Sequence, residues 1–584
     1  MIDYLSHVAV LKQQHVNLAN EAITDADLAA SRNKLLADMS AEENAAYLGS
    51  CIDHLIFHSV SDGIELNFLE TGANLWKRGL FVYDKITAIR EAVETVLANP
   101  AASGAVDKFN SAVQTLPGIK TDVTQLLAEA EVLKKNVLPL PHLRPHPRQE
   151  DKKISDWDMS NLFLARRTDA FVRAVFNSGK DSQTNSFAFG VLASYGGNLA
   201  GSSYLDHVVG GPRRSHRYRD RIARNTVGAW LAQNSSLPSL GELSKRFSFG
   251  YLAGTIQLPT GISNSIAAGI KEAFRTSEIP DLNLGLNRLV RHLHLLDSFK
   301  RPPLPAPPNP ALDQIMATLT PVEGGQVTPK TVGDGAGDPP QSGSGSTDQS
   351  DGKAKTGTVC ILAIFIALVL IAQLIDCIIQ WVGGDECEAR VWKALFESEE
   401  APASTSQQFL TSSTTPPNSH IAAHIINEFY NSQLEIWQAF DQALSFLTVS
   451  GLIYPDQYFL KGKLYNQFTA IPLTANWPHR PELDPENKYI FFPSGAIENP
   501  QSQPSPYPAS ASPLSFVNGA GGQFPTAWDF ARSLWNQIAK GQVDSTNLDL
   551  DADRGNGFPC WQVTAGTSIN NDPLNIGILS YNEI

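Results

Sequence analysis

Between Pro302 and Gly357 the chain offers almost nothing to bury: PPLPAPPNP gives way to GGQVTPKTVGDGAGDPPQSGSGSTDQSDGKAKTG. A stretch of this composition reads as a flexible linker, extended where proline dominates and coil-like where Gly and Ser do. It divides the 584 residues into folded parts on either side. The length alone, set against ordinary domain sizes, predicts three or four units. Gly352-Lys353 does not complete a phosphate-binding loop, because Thr347 stands where the first glycine is required.

Directly after the linker comes TVCILAIFIALVLIAQLIDCIIQWV, residues 358–382. Roughly 20 apolar residues span the hydrocarbon of a bilayer, so this run is a transmembrane candidate. Lys353 and Lys355 on its near side place the N-terminal half in the cytoplasm, and Trp381 suits an interface. Gln373 and Asp376 oppose the reading, since an acid near a helix centre costs about 2.5–3.5 kcal/mol on insertion scales. The alternative is a buried central helix of a large domain.

From Tyr4 to about Leu138 apolar residues recur at helical spacing, as in Leu80, Val82, Ile86, Ile89, Val93 and Val96, which predicts a bundle of four to six helices. The stretch LPLPHLRPHPRQ, 138–149, forbids helix and marks a boundary or connector. More helices are expected over about 154–298, 419–449 and 525–540, with one short strand at KYIFF. The expected organisation is a helical domain at 1–150, a second at 151–300, a linker at 301–357, an apolar helix at 358–383 and an irregular, α-rich region at 384–584.

A net charge of −14 argues against nucleic acid as a general partner. The five cysteines show no CxxC spacing and imply no disulfide framework. The first residues, MIDYLSHVAVLKQQHVNLANEA, lack the basic and apolar regions of a cleaved signal.

Three clusters carry candidate chemistry. His54, His58, Asp62 and Glu65 fall on one face of an expected helix, opposite Ile52, Leu55, Ile56, Val60 and Ile64. Two imidazoles and two carboxylates within three turns suit a divalent metal; the other reading is the solvated face of an amphipathic helix. Arg213, Arg214 and Arg217 lead a basic run that continues to Arg224. Arginine forks match phosphate, and the competing reading is internal ion pairing, since Asp220 interrupts the run. Asp549, Asp551 and Asp553 alternate as in a calcium loop, but Gly555 is one place late and Cys560 replaces the bidentate Glu.

Residues 188–225, AFGVLASYGGNLAGSSYLDHVVGGPRRSHRYRDRIARN, bear on function most directly. Ser194, Asn198 and Ser202 stand at i, i+4 and i+8, one stripe of a helix. This segment resembles the metal-binding core of zinc-dependent phospholipase C-like proteins, whose pattern carries His, Asp and His at those three places. Gly201, Tyr204, Gly210, Gly211, Pro212 and His216 keep the frame of that pattern, while Arg224 precedes Asn225 where an acid is often found. The tail NLDLDADRGNGFPCW, 547–561, extends the resemblance. A neutral hydroxyl or amide offers zinc neither charge nor a preferred donor, and without metal there is no activated water.

The expectation is a mostly α-helical, multidomain, membrane-associated protein with a phospholipase C-like helical domain whose ligand positions are degenerate. Its expected role is binding or scaffolding, with a lipid membrane as partner and a protein partner besides. The competing reading is a phosphoester hydrolase whose zinc has moved to His54, His58 and Asp62. A third is a membrane-inserting effector or toxin that shelters its apolar segment until release.

Overall fold

Residues 182–209 carry a single formal charge, Asp206, and place apolar or small side chains on every face. A helix of that kind belongs in an interior. The computed structural model describes residues 1–98, 158–165, 167–209, 217–308, 512–520 and 525–542, with single positions within 104–129 and 430–460 and at 548 and 550. In it the segment forms α8, Ser182–Val209, around which the other helices are arranged.

Before α8 come α1 (Tyr4–Asn20), α2 (Ala26–Ala41), α3 (Glu43–Ser50), α4 (Ile52–Val60), α5 (Ile64–Ala98), α6 (Met159–Ala165) and α7 (Thr168–Ser178). After it come α9 (Arg217–Asn234), α10 (Leu240–Arg246), a two-residue hairpin of β1 (Tyr251–Leu252) and β2 (Thr255–Ile256), α11 (Thr260–Phe274), α12 (Leu282–Leu296), α13 (Leu514–Asn518) and α14 (Ala527–Ala539). The protein is mostly α-helical, as its periodicity implies. The helix expected over 525–540 is α14, and the described positions between 430 and 448 are helical too. The hairpin was not anticipated: its two strands are too short to show alternation.

Local chemistry fixes several helix ends. Asp3 caps α1 by accepting from the amides of Leu5 and Ser6, and Asp281 caps α12 through Leu284. Ser239 and Glu242 form a capping box at α10, and Thr526 and Asp529 another at α14. Helix α12 buries Leu282, Leu286, Leu289, Val290, Leu293 and Leu296, a stripe at i, i+3 and i+4 spacing. Helices α3 and α8 cross backbone to backbone: a Cβ on Gly190 would stand 2.1 Å from the Ala46 carbonyl oxygen, and one on Gly49 2.2 Å from that of Phe187.

Two expectations about organisation need correction. The break at 138–149 does not separate two cores, because Leu48, Ile52 and Leu55 share one apolar cluster with Leu192, Leu199 and Leu289, and Trp535 joins it. The linker expected from 301 begins with residues that are fastened down. Pro302 and Pro305 are buried, and the carbonyls of Pro302, Pro303 and Ala306 accept side-chain hydrogen bonds. The apolar run 358–382 lies outside the described residues, as do the 138–149 break and KYIFF. Among the described residues no helix is long and apolar enough to cross a membrane.

Candidate functional site

The α8 stripe faces the beginning of the chain and α4. Asn198 is its centre: its Oδ1 accepts from the Ile2 amide at 2.9 Å, and its Nδ2 donates to Asp53 Oδ2 at 3.0 Å and toward Ser194 Oγ at 3.3 Å. Ser202 Oγ accepts from the Met1 nitrogen at 3.0 Å and donates to the Leu550 carbonyl at 2.7 Å. All three residues are buried. The three positions expected to correspond to metal ligands therefore hold protein groups.

Asp53 lies beside this stripe, fully buried. Its Oδ2 also accepts from His7 Nε2 at 2.9 Å, and its Oδ1 from the His54 amide. Burial alone would raise its pKa. Electrostatic attraction to the neighbouring His7 and His54 imidazoles, with hydrogen bonds from His7 and Asn198, outweighs burial and holds it well below the usual carboxylate range. His54 Nε2 sits 3.0 Å from the Ile2 carbonyl, which can only accept, so the proton is on Nε2 and the Nδ1 lone pair is bare. His7 Nδ1 is buried without a hydrogen-bond partner. His7, Asp53 and His54 each place a ligand atom within 4.8 Å of the others'.

Next to that group, the Tyr4 hydroxyl joins His58 Nε2 at 3.0 Å and His292 Nδ1 at 2.8 Å. A hydroxyl has one proton to give, so at most one imidazole accepts from it and at least one donates to it. Burial pushes His54 and His58 well below the ordinary imidazole pKa and His292 down to about 4. It raises the Tyr4 phenol well above 10. These groups line a cavity of about 190 Å³, whose wall also includes Asp62, Glu65 and Arg221.

The metal set expected from sequence, His54, His58 and Asp62, is rearranged. Helix α4 ends at Val60, so Asp62 lies beyond it, exposed, with its Oδ1 accepting from the Ile64 amide. His54 and His58 are not on a solvated face either, because α4 is wedged against α6 and α12. His54, His58, Asp62 and Glu65 all reach the cavity, but among the described residues the close metal-compatible group is His7, Asp53 and His54. His7, Tyr4, Asp53 and His292 were missed. Their partners lie 46 to 288 residues away, and only a polar residue amid the apolar run of α1 hinted at His7.

Of the basic run, Arg213 and Arg214 and the side chain of Arg217 lie outside the described residues. Two later members are paired internally: Arg221 with Glu65 and the Gly451 carbonyl, Arg224 with Asp220. Asp549, Asp551 and Asp553 also lie outside the described residues. Cys51 is buried, its thiol pushed well above its ordinary pKa by desolvation, so it is no ready nucleophile.

No family model matches the chain, and neither a curated protein nor a solved structure matches it.

Proposed function

We propose that the chain is a membrane-associated binding or scaffold protein, built on a helical frame resembling that of zinc-dependent phospholipase C but without its metal chemistry. The supporting observation is that Asn198 is engaged by Ile2 and Asp53, Ser202 by Met1 and Leu550, and Ser194 by Asn198, so that these three positions of α8 are turned to protein groups. The membrane part rests on residues 358–382 and their basic flank. A protein partner completes the reading, and the acidic balance disfavours nucleic acid.

One observation favours a second reading, a metal-dependent phosphoester hydrolase with a displaced site. His7 Nδ1 is buried without a hydrogen-bond partner while Asp53 holds the ring through Nε2, His54 places a ligand atom within 4.8 Å of both residues' own, and a histidine steered by a carboxylate is a common way to orient a ligand. Elemental mass spectrometry of the full chain purified in detergent separates the two. Binding or scaffolding predicts far less than one zinc per chain and no phospholipid hydrolysis. One zinc per chain, lost with activity in His7→Ala, would replace the first reading by the second.

A further inference from the structure

Helix α5 presents Trp76, Tyr83 and Arg90 at seven-residue intervals along one face. Each donates to a backbone carbonyl of the segment that follows α12: Trp76 Nε1 to Lys300 at 3.0 Å, Tyr83 Oη to Pro303 at 2.6 Å, Arg90 Nη2 to Ala306 at 2.5 Å. Those acceptors are three residues apart. Seven helical residues rise about 10.5 Å, and three residues of polyproline II about 9.3 Å, so the two repeats run nearly in step.

The sequence KRPPLPAPP enforces that extended form. Five prolines fix φ, and each residue before a proline is kept out of the helical region. From the other side Trp437 Nε1 donates to the Pro302 carbonyl at 3.0 Å. Arg301 lies over the Trp437 ring and pairs with Asp441 and Asp456. The floor is open because α5 has no side chain at Gly79, where a Cβ would stand 2.8 Å from Phe440 Cζ. Phe440 then packs edge-on to Trp76 and Tyr83.

We propose that this groove, between α5 and the helical positions holding Gln433, Trp437 and Phe440, is a polyproline II recognition site. Residues 300–308 occupy it in cis, and a proline-rich segment of a partner protein, led by a basic residue, takes their place. The mode of contact supports exchange. Aromatic side chains donating to carbonyls are how proline-rich ligands are read, and carbonyls are common to every such ligand. Only Pro302 and Pro305 are buried, while Pro303, Ala306 and Pro307 are exposed and Leu304 is 62% exposed. Beyond the Arg301 contacts and the two buried prolines, which a basic, proline-rich partner segment can reproduce, the cis segment is favoured by its tether, equivalent to a local concentration on the order of millimolar.

The test is binding of a fluorescent peptide, RPPLPAPP, to the full-length chain and to its P302G/P305G variant, which loosens the cis segment. The variant is expected to bind about tenfold more tightly than the natural chain. W437F in the variant background, which keeps an aromatic ring but no N–H, is expected to weaken binding again, and a peptide with alanine for every proline to bind neither. A second readout needs no substitution. Excess peptide, whose Arg–Pro bond trypsin leaves intact, is expected to accelerate tryptic cleavage at Lys300–Arg301 by releasing the segment. Absence of binding to a folded variant, or an unchanged cleavage rate at saturating peptide, would overturn the proposal.

Discussion

Asn198 connects Ile2, Asp53 and Ser194 within a fully buried network, so its chemistry can be changed with little change of shape. Asn198→Asp sets a second carboxylate against Asp53 Oδ2, now 3.0 Å from the amide nitrogen. A loss of about 3–5 kcal/mol is expected at pH 7, by analogy with an uncompensated buried charge. The strain is relieved as pH falls, because one carboxyl of such a pair takes up a proton at raised pKa. Urea denaturation at pH 7 and 5 checks this. Full rescue at pH 7 by zinc alone would instead favour the displaced-metal reading. His292 gives a second test at this scale. Its folded pKa of about 4 lies below the ordinary 6.5, so the unfolded chain takes up a proton first and stability falls as pH drops from about 6.5 toward 4. At pH 5 the loss from this one group is about 2 kcal/mol. His54 and His58 shift in the same direction and steepen it, while Asp3, whose pKa is raised by burial, opposes it. Replacement by glutamine, His292→Gln, should flatten the denaturation midpoint against pH by about one proton's contribution.

Among the elements, the crossing of α3 and α8 leaves no room for a methyl group. Gly190→Ala improves intrinsic helix propensity by about 1 kcal/mol, yet its Cβ would meet the Ala46 carbonyl, a backbone atom that cannot swing aside. Overpacking of about 1–3 kcal/mol prevails, and thermal unfolding should register a net loss. Leu286→Ala in α12 is expected to cost about 2–5 kcal/mol as an unfilled cavity. Helices α12 and α14 were legible in the sequence because each has a single apolar stripe facing one neighbour layer. Helix α4 was legible as a helix but its burial was not, because it is only nine residues long and packed on both sides, so its polar stripe of His54 and His58 is interior. A one-dimensional pattern cannot tell polar side chains facing water from polar side chains facing one another. The α8 stripe of Ser194, Asn198 and Ser202 was legible as geometry, but its partners at Met1, Ile2, Asp53 and Leu550 were not.

At the scale of the molecule, the proline- and histidine-rich break suggested two separable domains, whereas α1, α3 and α4 pack into the same core as α8, α12 and α14. Residues 1–150 and 151–584 expressed apart should therefore each lack a cooperative unfolding transition, a result that calorimetry reads directly. Such a shared core follows from contacts hundreds of residues apart, which composition along the chain does not encode. The segment 300–308 also has a mechanical consequence. Its bonds to α5 lie in series along the chain. Tension arriving from beyond Pro308 loads the Arg90 bond first, then Tyr83, then Trp76, one at a time. The segment peels before α12 bears any load, giving the fold a weak link that yields ahead of its core.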